Sequence, residues 1–460
     1  MEARKSKLIV ISICLLSLLG YSQEVLELDR YEKLVMEQHP IAYQADLLTR
    51  SARGIELQGK GGFDAKIEGD LNQKYFEDKK YYSRSYVGLK VPTWMGLTLQ
   101  TGYELNDGVF LSQEATVPES GLINLGAELN VFKGLIFDQR RADLRQAQNL
   151  VKMTELERQL MLNQLRFDAI TAYLEWQKTS EKFKIIENSY NTAILRLENV
   201  RESALIGEKP QVDTLKAYIQ MQDREVKLND AQTELNNARL LLNTFLWKDG
   251  KVPLELEDNT VPESIENWLE VTNLEPTDSI VSSHPEFLYA QYKIDANRID
   301  YRLKKESLKP DLNLKYNAIT YQNPNSFAQN LSINNYKWGV SLSYAIPNRK
   351  ARGKLMLTEV KLQDSEFDLT DKQAQIKMKI DRSLNNWQNT LVTGSTYQSA
   401  TDNYKALLDA ETTLYQTGES SLFIVNQRDL DYLDAALKLV ELRYKNKKAV
   451  AYYEYSSMRW

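Results

Sequence analysis

Residues 64–75 alternate between apolar and polar side chains. Ala65, Ile67, Gly69, Leu71 and Tyr75 fall on one parity, and Asp64, Lys66, Glu68, Asp70, Asn72 and Lys74 on the other. A period of two predicts a β-strand with one apolar and one polar face. Val87, Leu89 and Val91 share a face in the next candidate, followed by Leu97, Leu99, Tyr103 and Leu105, then by Ile123, Leu125, Ala127, Leu129 and Val131. Two more candidates come much later: Leu312, Leu314 and Tyr316, then Trp338, Val340, Leu342, Tyr344 and Ile346. Each segment runs about 10–13 residues, a length that suits a tilted membrane-crossing strand. Tyr75, Phe76, Tyr81, Tyr82, Trp94, Tyr321, Tyr336 and Trp338 stand near strand ends, where an interfacial aromatic girdle would place them. Segment by segment, a soluble sheet with one wet face would show the same alternation.

The rest of the chain changes period. From Asp138 to Ile206 there is no Pro and no Gly. A helix over that stretch would reach about 100 Å, and a pattern this long suggests a coiled coil. Met153, Leu160, Phe167 and Leu174 recur every seven residues, as do Phe183, Tyr190, Leu197 and Ala204, and later Met221, Leu228, Leu235 and Leu242. Leu430, Leu433, Leu437, Val440 and Tyr444 alternate steps of three and four, an a/d seam. Leu162, Ala169 and Trp176 fall off the seam, so these helices are expected to touch more than one neighbour.

These landmarks occur twice in the same order. Gln38-His39-Pro40 and Ser283-His284-Pro285 each open a helical stretch. Gly126-Ala127-Glu128-Leu129 and Gly339-Val340-Ser341-Leu342 each precede a long helix. Ala204-Leu205-Ile206-Gly207-Glu208 and Leu414-Tyr415-Gln416-Thr417-Gly418-Glu419 each separate two helices. The order predicts an internal duplication. Between the halves, residues 248–279 are acidic and broken by Pro253, Pro262 and Pro276, an irregular connector with a short helix expected around Ser264 to Val271.

Composition narrows the function. The chain has 460 residues, 42% hydrophobic and 26% charged, with two His and one Cys. That inventory leaves little for a metal site, a disulfide framework or a Cys-His nucleophile, so no catalytic, metal or cofactor residues are predicted. A net charge of −5 argues against a nucleic-acid partner. Arg4, Lys5 and Lys7 before the apolar run Leu8–Leu19, with Gly20 and Ser22 at a cleavage site, read as a secretory signal peptide over 1–22.

The paired turns Ile206-Gly207-Glu208-Lys209-Pro210-Gln211-Val212-Asp213 and Tyr415-Gln416-Thr417-Gly418-Glu419-Ser420-Ser421-Leu422 carry a resemblance over essentially the whole exported length. So do the strand-to-helix corners Val131-Phe132-Lys133-Gly134 with Arg140-Arg141-Ala142, and Tyr344-Ala345-Ile346-Pro347 with Arg352-Gly353. The chain resembles the TolC family of outer-membrane efflux proteins. The resemblance implies an α+β membrane protein, a trimeric β-barrel contributed by all protomers and continued by a long α-helical coiled-coil tunnel in the periplasm of a Gram-negative cell. It implies a homotrimer in outer-membrane lipid, a periplasmic adaptor (membrane fusion protein) and an inner-membrane pump, and no enzymatic activity.

The expected segments are an N-terminal helical part 23–62, a first barrel segment 63–133, a first tunnel hairpin 134–247, and the connector 248–279 as an equatorial region. A short helix 280–308, a second barrel segment 309–346 and a second tunnel hairpin 347–460 follow. The family lends two strands per half, whereas residues 63–132 here show about four. Residues 84–106, with Pro92 and Gly96 in their middle, are either one bent strand or an extra hairpin.

Carried over by position, the adaptor-docking tip turns are Leu205, Ile206, Gly207, Glu208, Lys209 and Pro210 in the first half. In the second they are Gln416, Thr417, Gly418, Glu419 and Ser420. The candidate periplasmic gate is Asp213 with Tyr415, and Ile424 and Gln427 where the family narrows its entrance with acidic rings. The basic residue expected at 420 is a Ser, so a charged link is missing, and Asp429 and Asp431 stand nearby as other sources of negative charge. His39 and His284 read as structural, and the strand acids Asp64, Glu68 and Asp70 as candidate lumen charges. A periplasmic coiled-coil scaffold without a pore is the competing reading.

Overall fold

A computed structural model describes residues 24–271, 274–321 and 334–459. The signal peptide expected over 1–22 lies outside the described residues. The chain divides into two compact units, one of residues up to Leu47, Arg158–Pro285 and Ala374 onward, the other of Leu48–Glu157 and Glu286–Gln373.

The second of these holds a six-stranded antiparallel sheet. Its strands are β2 (Lys66–Phe76), β3 (Lys79–Pro92), β4 (Leu97–Asp107), β5 (Leu122–Asn130), β9 (Asp311–Tyr321) and β10 (Tyr336–Ser343), in the order β10-β9-β5-β4-β3-β2. Residues 84–106 are therefore not one bent strand. Thr93 donates its N–H to the Leu97 carbonyl at 2.8 Å, and Gly96 takes a left-handed φ of +84°, so Pro92 ends one strand and Leu97 starts the next. At the other end of β3, Glu77 and Asp78 both have positive φ, the conformation of a two-residue hairpin turn that follows the sheet's twist.

On the polar face the Tyr86 ring lies across Gly88 and Gly102, where a Cβ would come within 2.3 and 2.6 Å of its hydroxyl. Lys90 pairs with Glu68 at 2.6 Å and Lys315 with Glu128 at 3.3 Å on that same face. Asp70 accepts from Asn72, and Asp64 is exposed.

Four helices dominate the chain: α3 (Gln139–Leu205), α4 (Gln211–Asn243), α7 (Arg349–Gln416) and α8 (Leu422–Ser457). The strand-to-helix corner before α3 is tied by one side chain. Buried Arg141 donates to the carbonyls of Gly134 (2.6 Å), Leu135 (2.9 Å) and Ile136 (2.9 Å), and its Nε pairs with Asp138. Asp138 in turn accepts the Arg141 backbone N–H at 3.0 Å, capping the helix. Phe137, fully buried, packs under the guanidinium groups of Arg145 and Arg302.

The other unit has a core of Tyr31, Val35, Tyr173, Trp176, Leu242 and Ile265. Its small elements are β1 (Glu24–Leu26) paired in parallel with β8 (Thr260–Pro262), helices α1 (Leu28–Gln38) and α5 (Thr277–Ser283), and the pair β6 (Trp247–Lys248) and β7 (Val252–Pro253). Helices α2 (Pro40–Lys60) and α6 (Pro285–Glu306) follow His39 and His284. His39 accepts the Ile41 N–H on Nδ1 and stacks on Phe245, so it caps a helix, and His284 is buried.

The short helix expected around Ser264 to Val271 does not form. Side chains far away in sequence take its backbone groups instead. Gln177 Nε2 donates to the Glu263 and Ser264 carbonyls, Asn446 grips both the N–H and the carbonyl of Leu269, and Trp387 Nε1 donates to that same carbonyl. Ile265 is inserted fully into the core. The backbone groups so held are taken from a helical ladder.

Candidate functional site

The two helix-connecting turns are built alike. Helix α3 ends with Glu208 N–H donating to the Ser203 carbonyl at 2.9 Å and Gly207 N–H to Ala204 at 3.2 Å. Helix α7 ends with Glu419 N–H donating to Leu414 at 2.8 Å and Gly418 N–H to Tyr415 at 3.2 Å. Both are Schellman motifs, whose closing residue must be left-handed. Gly207 has φ +82° and Gly418 φ +85°, and a Cβ at either would meet nothing within 4 Å. The turns therefore use glycine for its backbone freedom and face open space. Pro210 and Ser421 then start α4 and α8.

Apolar side chains stand exposed on these turns. Leu205 is 81% and Ile206 71% exposed, and Phe423 on the second turn is 68% exposed. A groove of about 450 Å³ runs between the end of α3 and the start of α4, lined by Arg201, Ala204, Leu205, Gln211, Leu215 and Tyr218. Glu208, Pro210, Gln416, Thr417 and Glu419 are exposed. Lys209 reaches from the first turn to the second, its Nζ 4.2 Å from the centre of the Tyr415 ring. Ser420 donates to Glu411, and Leu422 is buried against Leu197, Val200 and Ala217.

Within one protomer the candidate gate pair is not brought together. Asp213 sits in the first turn of α4 and pairs with Lys216 at 3.0 Å, while Tyr415 receives Lys209. An acid in that first turn also favours the helix dipole. Ile424 and Gln427 are exposed on α8, and Gln427 donates to Asp431, which Arg428 also holds.

Asp429 is different. It points inward and takes Arg224 at 3.0 Å and Arg196 at 3.6 Å, with Arg196 also donating to Asn426. The cluster joins α3, α4 and α8 just behind the tips. The sequence reading missed Arg224 and Arg196, although a signal for Arg224 was present. Arg224 occupies the heptad position held by Ala217, Ala231 and Ala238 and is buried with them. One charge in an otherwise small-residue seam fixes register at a cost in stability.

No helix among the described residues is long and apolar enough to cross a membrane. Residues 277–452 match the family model described as Outer membrane efflux protein. No curated protein matches the chain by sequence. Among solved structures, the outer-membrane channel OprN aligns over 94% of this chain and 89% of its own, at a TM-score of 0.70 and 13% identity. The channel protein CusC aligns over 94% and 91%, at 0.66 and 15%. The MtrE outer membrane channel of Neisseria gonorrhoeae, in its open state, aligns over 94% and 88%, at 0.70 and 11%. The structural matches establish the fold. The second half of the chain thus matches the outer membrane efflux protein model, and the whole chain shares the fold of these outer-membrane channels.

Proposed function

We propose that the protein is the passive exit duct of a tripartite efflux system. Three copies share one barrel, drawn from the segments 63–133 and 309–346, and one tunnel, drawn from the hairpins 134–247 and 347–460. An inner-membrane pump supplies the energy. A periplasmic adaptor docks on Leu205, Ile206, Gly207, Glu208, Lys209, Pro210 and on Gln416, Thr417, Gly418, Glu419, Ser420. The observation that carries this reading is the pair of matching Schellman turns whose exposed apolar residues have no partner function inside the protomer. Exposed apolar surface rimmed by charge marks a protein-binding site.

Asp213, Tyr415, Ile424 and Gln427 lie at the periplasmic gate, and the Lys209–Tyr415 contact takes the place of the charged link that the family makes there. Replacing Gly207 and Gly418 together by Phe tests the docking role. Efflux should fall while trimers still form. Efflux unchanged in that variant would remove the tips from the docking surface. A pore-free scaffold is tested separately, because it would leave the envelope in aqueous buffer without detergent.

A further inference from the structure

The sheet holds six strands, and its two edge strands, β2 and β10, each pair on one side only among the described residues. The additional hairpin β2–β3 belongs to the same amphipathic surface as the rest. One row of paired residues crosses all six strands as Ile67, Leu89, Thr101, Leu125, Ala318 and Tyr336. The adjacent row is Lys66, Lys90, Gln100, Gly126, Asn317 and Lys337. A slip of one residue at any pairing would exchange the two faces; the one register shift, between Lys74 and Tyr75, lies beside the β2–β3 turn, outside these rows. On the hairpin, Ile67 is 81% and Leu71 74% exposed. A soluble flap would bury or replace such residues, whereas lipid accepts them.

An open edge is not tolerated in hydrocarbon, where each unpaired backbone group costs several kcal/mol. Six strands are fewer than the eight of the smallest single-chain barrels. The missing partners must therefore come from other copies. The six strands alternate in direction, so β2 and β10 run oppositely, and the edge β2 of one copy meets the edge β10 of the next as an antiparallel pair. Such a head-to-tail contact closes into a ring.

We propose that the seam between protomers is β2 against β10 of the neighbour. Resting on the trimeric reading above, this makes an eighteen-stranded barrel, in place of the twelve strands that two per half would give. The hairpin Lys66–Pro92 is then the protomer's outer wall segment and its contact with the next copy.

Cysteine cross-linking in the outer membrane tests the seam. The sequence has a single cysteine, Cys14 in the predicted leader, so introduced thiols stand alone in the exported chain. Leu71→Cys is combined in turn with Trp338→Cys, Val340→Cys and Leu342→Cys, which scan the same face of β10. Neighbouring strands lie within disulfide reach. At least one pair should shift the monomer band to reducible dimers and trimers. Leu105→Cys, which shares the Leu71 row but lies on interior strand β4, should stay monomeric with the same partners. Cross-linking through Leu105 and not Leu71, or through neither, would overturn the proposal. Electron microscopy of the same preparation separates the two levels. Threefold particles without the Leu71 cross-link overturn only the seam, particles of another symmetry overturn the strand total, and unassociated monomers overturn the duct itself.

Discussion

Arg224 Nη2 lies 3.0 Å from Asp429 Oδ2, and with Arg196 on the same carboxylate the first helical hairpin holds the second through a largely buried charge cluster. The Arg224 side chain is only 3% exposed and that of Asp429 14%. Removing the acid alone leaves the buried Arg224 guanidinium without its carboxylate, and breaking a buried pair this way costs about 3–5 kcal/mol. Asp429→Ala should therefore speed amide hydrogen exchange along the first turns of α8 and raise single-channel conductance. Exchange rates unchanged from the parent would show that the pair does not hold the tip.

Arg141 predicts a second sensitivity, at the strand-to-helix corner. Its guanidinium donates to three carbonyls and to Asp138, an arrangement that a lysine's point charge cannot reproduce. Arg141→Lys should lower the thermal stability of detergent-extracted protein nearly as far as Arg141→Ala does, by roughly 2–4 kcal/mol on the usual scale for hydrogen bonds to charged groups left unmade. A full rescue by Lys would reduce the role of the residue to its charge.

How much of this was legible in the chain varies by feature. The duplicated turns were, because a Schellman motif leaves a glycine at a fixed place after each helix, and Gly207 and Gly418 do so. The alternating strands were also legible. The β3–β4 turn was ambiguous, because Pro92 and Gly96 interrupt a run of alternating residues equally well as a bend or as a turn. The Thr93–Leu97 hydrogen bond, the left-handed Gly96 and the pairing of β3 with β4 separate the two. The conformation of residues 264–271 was not legible at all, since Gln177, Trp387 and Asn446 decide it from distant helices. The Arg224–Asp429 pair joins residues in different halves, so no local pattern could propose the partner, even though the lone Arg in an alanine seam was visible.

Tyr86 and its glycines give a third prediction. The ring occupies the space that side chains at 88 and 102 would need. Gly102→Val should displace the ring and reduce the yield of assembled protein in the outer membrane, and pairing it with Tyr86→Ala should recover part of that yield. Failure of the double variant to improve on the single one would place the defect in the strand backbone instead.

His39 sets a pH dependence. Burial holds its imidazole below the ordinary histidine range, against a smaller opposing effect of the Thr244 backbone. The fold therefore favours the neutral ring. As pH falls below about 6.5, the unfolded chain takes up a proton that the folded chain resists. Stability should fall between roughly pH 7 and 5 through this group, and His39→Asn, which keeps an acceptor for the Ile41 N–H, should flatten the profile. The midpoint of denaturant unfolding against pH checks it, and an equally steep profile in the variant would assign the dependence elsewhere.

Several copies of this chain are proposed to close one channel through the outer membrane. Electron microscopy of the detergent-purified full protein tests it most directly. A threefold particle with its β-sheet region inside the detergent belt is the expected result. A monomeric particle, or one that needs no detergent and shows no belt, would contradict it.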